Sequence, residues 1–196
     1  MSPLVWSNLL AASVAAIPVV WLVTIDVGSS RRMASEAGDV VVDESTSHLF
    51  DLVAGLALVV AVGASLGLTA LTIPVPVVSW AMGMLSMAGA IALSAAARRR
   101  LGRFHQHALM QHRDHDLVTD GPYARLRHPL YTATVLAFVG IGAVLGNWLS
   151  LGLLALAPTT VLVHRIGVEE RMLVDRFGAD YDRYAAGRAR LVPGIW

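Results

Sequence analysis

Two residue types are missing from the sequence, and charged residues are scarce. There is no cysteine, so the chain has no disulfide, no thiolate nucleophile and no zinc–sulfur site. There is no lysine either: all fifteen basic residues are arginine, which excludes Schiff-base and lysine general-base mechanisms. The net charge is +1, too small for the broad basic face that binds nucleic acid. We therefore expect no nucleic-acid partner.

Hydrophobic residues are abundant and lie in long runs. They make up 56% of the 196 residues, while charged residues make up 15%, against about 25% in a typical soluble domain. The runs at positions 4–25, 52–73 and 77–97 can each cross a hydrocarbon core about 30 Å thick. For the first run a cleaved signal peptide is the alternative, but no basic residue precedes it and it is long for one. The runs predict three transmembrane helices.

A fourth apolar run, at positions 132–163, is too long for one ordinary span. Turn-forming residues interrupt it near its middle, in the sequence Gly146-Asn147-Trp148-Leu149-Ser150. We predict two helices of about 15 residues, each about 22 Å long, that form a short hairpin. One long tilted helix is the alternative. The sequence thus predicts an all-α polytopic membrane bundle with about five membrane segments.

The arginines lie outside the apolar runs. Seven fall between Arg98 and Arg127, six fall between Arg165 and Arg190, and two fall in the segment at positions 28–47. The positive-inside rule places all three segments in the cytoplasm and the N-terminus outside. We therefore predict an integral membrane protein, in the cytoplasmic membrane if the source is bacterial, with its site facing the cytoplasm. The segment at 28–47 is predicted to be a solvated connector.

Two polar segments bracket the predicted hairpin. The first runs Leu117-Val118-Thr119-Asp120-Gly121-Pro122-Tyr123 into Arg127-His128-Pro129-Leu130-Tyr131, and the second carries Arg165, Glu169, Glu170, Phe177, Gly178, Tyr181 and Tyr184. Charge held beside a bilayer is costly and usually marks a functional site. In order and spacing, the two segments resemble the isoprenylcysteine carboxyl methyltransferase family of membrane enzymes, which also includes phospholipid methyltransferases. The resemblance covers roughly residues 98–196.

The resemblance implies S-adenosylmethionine-dependent methyl transfer at the membrane surface. In this family the cofactor lies in a cytoplasmic pocket of a membrane helical bundle, a lipidic acceptor enters from the bilayer, and no metal is needed. The lack of a Gly-x-Gly-x-x-Gly loop agrees with a fold other than the soluble Rossmann-like methyltransferase. We divide the chain accordingly into three N-terminal transmembrane helices, residues 1–97, and a catalytic region, residues 98–196.

By resemblance, one set of residues binds the cofactor, and its chemistry suits the ligand. S-adenosylmethionine has a zwitterionic amino-acid end, a sulfonium, ribose hydroxyls and an adenine. A helix that begins at Pro129 offers N-terminal amides to the carboxylate, and the missing N–H of proline costs nothing there. The set is His115, Leu117, Val118, Gly121, Tyr123, His128, Pro129, Leu130, Tyr131 and Glu169.

Simpler roles stay open for several of these residues. Tyr123 and Tyr131 also suit the aromatic belt of a membrane interface, and His128 suits a helix cap. Four histidines lie within eleven residues, but no carboxylate or cysteine at a recognisable ligand spacing completes the group, so we predict no metal site. The four are His105, His107, His112 and His115.

The second polar segment supplies the predicted catalytic residues. Arg165 and Glu169 are four residues apart and share one face of a helix that continues the last span. A surface ion pair worth under about 1 kcal/mol is the simpler interpretation. The family motif favours function, with Arg165 as the substrate-binding residue, Arg127 assisting it and Glu169 completing the catalytic set. Glu170 points elsewhere and is a weaker candidate.

The end of the chain is predicted to cover the site. Leu173, Phe177, Tyr181 and Tyr184 recur every three or four residues and predict an amphipathic helix that packs over the site or lies on the membrane. Residues 191–196 match the closing Val-Pro segment of the family and are predicted to cap the pocket.

The acceptor itself is not encoded in a readable motif. A lipidic or isoprenoid-type carboxylate is already nucleophilic and needs no general base. A phospholipid amine must instead lose a proton, with Glu169 or Glu170 as the candidate base. We predict carboxyl O-methylation. Lipid N-methylation and a non-catalytic membrane accessory protein on the same scaffold are the alternatives.

Overall fold

A computed structural model describes residues 44–101 and 117–196. Five α-helices follow one another in these ranges, with 3₁₀ turns at Thr69–Leu71 and Gly121–Ala124. The helices are α1 (Glu44–Gly67), α2 (Pro76–Leu101), α3 (Pro129–Val144), α4 (Trp148–Phe177) and α5 (Ala179–Ala185). The described ranges contain no sheet, only two isolated backbone bridges. The first predicted span, the connector up to residue 43 and the histidines at 105–115 lie outside the described residues. The last four residues of the predicted connector, 44–47, belong to α1 instead of a loop.

Three of the described helices are long and apolar enough to cross a membrane. They are α1 from His48 onward, α2 and α4, whereas α3 is a shorter apolar helix. Many large apolar side chains on α1 and α2 are exposed, for example Val59 and Leu85. Exposed apolar faces of this extent are typical of helices surrounded by lipid. Apolar helices are thus present at the predicted second and third spans, although the second ends at Gly67 and not at Ile73, and the all-α membrane bundle is confirmed.

The predicted hairpin is also confirmed, and the single long helix is excluded. Helix α3 ends at Val144, Gly146 takes a positive φ of 63°, and α4 begins at Trp148. The side chain of Asn147 accepts hydrogen bonds from the backbone N–H groups of Leu149 and Ser150, at 3.0 and 3.3 Å. This N-cap satisfies two donors that the first turn of a helix leaves without partners.

Polar side chains join this turn to the end of α1. The Asn147 amide donates to the Leu68 carbonyl at 3.0 Å, and the Ser150 hydroxyl donates to the Ala61 carbonyl at 2.7 Å. The Ile73 N–H donates to the Gly146 carbonyl at 2.8 Å. Since lipid offers no hydrogen bonds, these contacts keep the turn satisfied inside the bundle.

Glycines bring α2 and α3 into close contact. A Cβ atom built on Gly83 would lie 2.7 Å from the Gly140 carbonyl oxygen, and one built on Gly140 would lie 2.9 Å from the Gly83 carbonyl oxygen. Only hydrogen fits at both positions, as is common where membrane helices cross. Phe138, Ile141 and Leu154 belong to a core to which α1, α2, α3 and α4 all contribute.

The lengths of α3 and α4 determine how far along the bundle the polar residues lie. The 16 residues of α3 span about 24 Å at 1.5 Å per residue. Helix α4 returns antiparallel for 30 residues, so Arg165 comes level with the start of α3 and the last dozen residues project beyond it. The expectation of about 15 residues holds for α3. Helix α4 is longer because it continues without a break into the polar segment, as predicted for a helix that continues the last span.

Gly178 divides the predicted amphipathic helix in two. It takes a φ of 51°, a left-handed value that favours glycine, and α4 ends before it while α5 begins after it. Tyr181 and Tyr184 on α5 are buried, whereas Leu173 and Phe177 on α4 are half-buried. The stripe thus folds back on the molecule instead of extending as one helix.

Candidate active site

The Gly-Pro turn packs against the end of α2. Gly121 has a φ of 59°, and a Cβ atom there would lie 2.9 Å from Cγ of Arg100. Arg100 also forms an exposed salt bridge with Asp120 at 2.9 Å. Glycine is therefore favoured at position 121 for its backbone angle, whereas the exposed Arg100 side chain could move away from a Cβ atom. Leu117 and Val118 lead into this turn and are half-buried.

Tyr123 lies in the 3₁₀ turn and is buried beneath α5. The Tyr184 hydroxyl donates to the Tyr123 carbonyl at 3.0 Å. Burial raises the pKa of Tyr184 to about 12. Burial, and next the charge of Glu169, raise the pKa of Tyr123 well above its usual value. Both phenols are therefore held in the protonated form, and the hydroxyl of Tyr184 donates the hydrogen bond to Tyr123.

His128 occupies the N-cap position of α3, but its side chain does not cap the helix. The imidazole is buried and stacks on Tyr131, with ring centroids 5.6 Å apart. Its backbone N–H donates to the Arg190 carbonyl at 3.2 Å. Pro129 takes the first helical position, where a missing N–H costs nothing. The position of the imidazole is therefore set by its contacts with Tyr131 and with the Arg190 backbone, and not by a capping hydrogen bond.

Two buried carboxylates face the His128 ring from α4. Nδ1 lies 3.8 Å from Oε2 of Glu169, and Nε2 lies 3.4 Å from Oε1 of Glu170. Among the described residues, Nε2 of His128 and Oε2 of Glu169 are buried without a hydrogen-bond partner. Such orphaned polar atoms are costly in a protein interior and often mark a place where a ligand binds.

Arg165 is buried on the same side of α4. Its Nε donates to the Tyr131 hydroxyl at 2.9 Å, and that hydroxyl also interacts with the Glu169 carboxylate. The expected shared face of Arg165 and Glu169 is thus present, with Tyr131 between them. Arg165 is only 8% exposed and Glu169 only 6%, so a pair on the surface does not describe them.

Glu170, expected to point away from Arg165 and to be the weaker candidate, is buried and binds two other arginines. Oε1 accepts from Arg127 at 2.6 Å, and Oε2 accepts from Arg190 at 2.9 Å. Arg127 is therefore held by a carboxylate, although the sequence suggested that it assists at the acceptor. Arg190 was missed; its place just before the closing Val-Pro segment was the only signal.

The remaining predicted residues take their places around this centre. Leu130 is half-buried in the first turn of α3, and Leu191 of the closing segment is buried. Thr132 donates to the Leu191 carbonyl at 2.8 Å, so the C-terminal segment lies against the start of α3. His115 lies outside the described residues. In the ranges that are described, no group of three or more potential metal ligands occurs.

Together, fold and site define an integral membrane protein with a buried polar centre at one end of its apolar helices. The chain belongs to the phospholipid methyltransferase family: residues 78–180, more than half of the chain, match that family's model. The match begins in α2, earlier than the resemblance at residues 98–196, and ends in α5.

Relatives with curated names cover part of the chain. It is 36% identical over 115 residues to the protein-S-isoprenylcysteine O-methyltransferase of Schizosaccharomyces pombe, covering 59% of this chain and 48% of that protein. It is 31% identical over 117 residues to the cobalt-zinc-cadmium resistance protein CzcN of Cupriavidus metallidurans, covering 60% of this chain and 53% of that protein. The chain thus spans about half the length of these relatives.

A solved structure supports the fold. The chain is similar to the eukaryotic intramembrane Ras methyltransferase ICMT (isoprenylcysteine carboxyl methyltransferase), with a TM-score of 0.58 and 23% identity. The similarity covers 79% of this chain and 55% of that one. At this identity it establishes the membrane helical fold.

Proposed function

We propose that the protein transfers a methyl group from S-adenosylmethionine to the carboxylate of a lipidic or isoprenoid-type acceptor at the membrane surface. One observation carries the proposal. His128 and Tyr131 at the start of α3 meet Arg165 and Glu169 of α4 in a single buried cluster, level with the end of the apolar hairpin. Membership of the phospholipid methyltransferase family supports the same reaction class.

The residues present fit the cofactor. Glu169 offers a buried acceptor oxygen that suits an ammonium group, and the His128 ring beside it offers a second polar contact. Protonated Tyr123 and the Tyr131 ring supply a donor and an aromatic wall. We assign the whole predicted set to this ligand: His115, Leu117, Val118, Gly121, Tyr123, His128, Pro129, Leu130, Tyr131 and Glu169.

Helix α3 adds a favourable electrostatic environment. Its first turn follows directly on His128, and its N-terminal amides and dipole favour a carboxylate. When bound, the cofactor supplies an electrophilic methyl group on its sulfonium. The chain contributes a dry, ordered environment, since the polar side chains of this cluster are buried and held by one another.

Arg165 is the proposed contact for the acceptor. A guanidinium has five N–H donors in a fixed fork, so one group can hold both the Tyr131 hydroxyl and a carboxylate. A carboxylate acceptor needs no base, and the chain then acts by orienting it and by removing water from its oxygen. Orientation of two reactants alone is worth up to about 7–11 kcal/mol in favourable systems.

Lipid N-methylation is the second candidate, supported by the description of the matching family. An amine acceptor must lose a proton, so it needs a base. Glu170 is a poor choice, because two guanidinium groups stabilise its charged form. Glu169, whose Oε2 lacks a partner in the described ranges, is the better candidate.

We also propose that the site faces the cytoplasm, in the cytoplasmic membrane if the source is bacterial. Arg98, Arg127, Arg165 and Arg190 mark the polar end of the bundle, and the positive-inside rule assigns such an end to the cytoplasm. This orientation gives the site access to cytosolic cofactor, while the apolar helices give it access to membrane lipid.

Labelled cofactor tests the proposed reaction. The purified protein in detergent is incubated with methyl-labelled S-adenosylmethionine and a lipid extract. O-methylation yields a lipid whose label is released as volatile methanol by mild alkali, whereas N-methylation yields alkali-stable label. Failure to bind S-adenosylhomocysteine in calorimetry would refute both activities and favour the non-catalytic accessory protein.

A further inference from the structure

One buried carboxylate bridges two arginines from separate segments. The Glu170 side chain is 10% exposed, and each of its oxygens is bound to a different guanidinium. Oε1 lies 2.6 Å from Nη1 of Arg127, which precedes α3. Oε2 lies 2.8 Å from Nη2 and 2.9 Å from Nε of Arg190, in the C-terminal segment. Arg127, Glu170 and Arg190 are called the Glu170 clamp below.

The two segments that the clamp joins also pair through their backbones. The Arg127 N–H donates to the Ala189 carbonyl at 2.8 Å, and the Ala189 N–H donates to the Arg125 carbonyl at 3.3 Å. The Arg127 side chain adds a bond from Nε to the Arg188 carbonyl at 3.0 Å. The residues before α3 and those at 188–190 therefore form a short parallel pairing. Glu170 on α4 binds one arginine from each of the two paired segments.

The charge balance of the clamp depends on Glu170. Glu170 and Arg127 are largely buried, and removing one partner of a buried ion pair leaves the other charge uncompensated, which is strongly unfavourable. Without the carboxylate, Arg127 and Arg190 would be two like charges on paired segments. We expect the segments to separate in that case, since each arginine would move toward water.

His128 is the residue that this pairing places. Its backbone N–H donates to the Arg190 carbonyl at 3.2 Å, and its Nε2 lies 3.4 Å from Oε1 of Glu170. Backbone and ring of His128 thus both contact the clamp, while the other ring nitrogen faces Glu169. A change in the clamp therefore displaces a proposed cofactor ligand without touching the cofactor.

We propose that Glu170 is a positioning residue, which sets His128 for cofactor binding by holding the C-terminal segment against the start of α3. The inference rests on the proposed function for the role of His128. Glu170 then binds neither cofactor nor acceptor. Through Arg190, the C-terminal segment then contributes to the site. The sequence had predicted a role only for residues 191–196 of this segment.

Cofactor binding by three variants tests the positioning role. Glu170→Gln keeps the shape and removes the charge, and Arg190→Gln removes the partner on the C-terminal segment. Asp175→Asn is the matched control, an exposed acidic residue on the same helix. We expect both clamp variants to raise the dissociation constant of S-adenosylhomocysteine about tenfold at unchanged stoichiometry, equal to about 1.4 kcal/mol. Merely misfolded protein would instead bind with normal affinity at reduced stoichiometry, and that result would overturn the proposal.

Hydrogen–deuterium exchange tests the clamp without any ligand. In the wild type, the amides of Arg127, His128 and Ala189 are hydrogen-bonded and should be protected. Glu170→Gln and Arg190→Gln should accelerate exchange in peptides containing these amides, while the apolar part of α4 stays protected. Unchanged exchange would overturn the clamp. Faster exchange in a protein whose wild type binds no S-adenosylhomocysteine would retain the clamp and refute the proposed function.

Discussion

Arg165 and Tyr131 meet across the hairpin, with the arginine Nε donating to the tyrosine hydroxyl at 2.9 Å. The two residues are 34 positions apart, one at the start of α3 and the other more than halfway along α4. Their contact places a guanidinium at the level where the apolar part of the bundle ends. Arg165 is the proposed contact for the acceptor, and Tyr131 is a proposed cofactor ligand. Substitutions in this cluster can therefore test the two roles separately.

Arg165→Lys should reduce methyl transfer about tenfold or more, which corresponds to about 1.4 kcal/mol of transition-state stabilisation. Lysine keeps the charge but cannot reproduce the planar fork. Affinity for S-adenosylhomocysteine should stay within about twofold in calorimetry. Arg171→Lys, an exposed position on the same helix, is the control and should retain full activity. Loss of cofactor affinity with Arg165→Lys would move this residue into the cofactor site.

His128→Ala and Glu169→Gln should both weaken cofactor binding. Each removes a buried polar contact, for which a penalty of about 1.5–3 kcal/mol is expected when a charged group takes part. The measurement is the dissociation constant of S-adenosylhomocysteine in monodisperse detergent-solubilised protein. If both variants bind as tightly as the wild type, the assignment of these residues to the cofactor is wrong.

Gly83→Ala should destabilise the bundle, because its methyl group would press on the Gly140 carbonyl. Overpacking of this kind costs about 1–3 kcal/mol. Gly89→Ala provides the matched control on the same helix, since nothing lies within 4 Å of a Cβ atom there. Thermal unfolding followed by circular dichroism in one detergent compares the two. Equal unfolding temperatures would contradict the close crossing of α2 and α3.

Reporter fusions test the orientation. A fusion after Gly187 should give a cytoplasmic signal, and a fusion between Thr72 and Val77 should give an external one. Further fusions after Gly38 and Gln111 should read cytoplasmic. An external signal after Gln111 or Gly187 would separate the site from cytosolic cofactor and overturn the proposed orientation.

The helices and the hairpin could be predicted because their signals are local. Length and hydropathy define α1 and α2, and the Gly146-Asn147 pair marks a turn whatever surrounds it. The continuation of α4 beyond the apolar run was also predicted, because Arg165 and Glu169 share a helix face and Leu173 and Phe177 keep a helical spacing. The break at Gly178 was not predicted, since the same spacing runs on to Tyr181 and Tyr184.

The clamp could not be predicted, because its partners are distant in sequence. Glu170 contacts Arg127 and Arg190 at separations of 43 and 20 residues. A helix wheel places Glu170 about 100° from Glu169, which gives its direction on α4 but not what lies there. The pairing of residues 125–128 with 188–190 brings Arg127 and Arg190 to Glu170, and no periodic sequence pattern encodes such a pairing.

The short α3 has a consequence for how the chain enters the membrane. At about 24 Å it is shorter than a hydrocarbon core of about 30 Å, so with His128 at one surface its far end stops inside the lipid. Released alone, the hairpin would carry the Asn147 amide and the Gly146 carbonyl into hydrocarbon. Leu68 and Ile73 supply the missing partners. We therefore expect the earlier helices to insert first, so that their backbone groups can satisfy the polar turn when the hairpin that carries the site inserts.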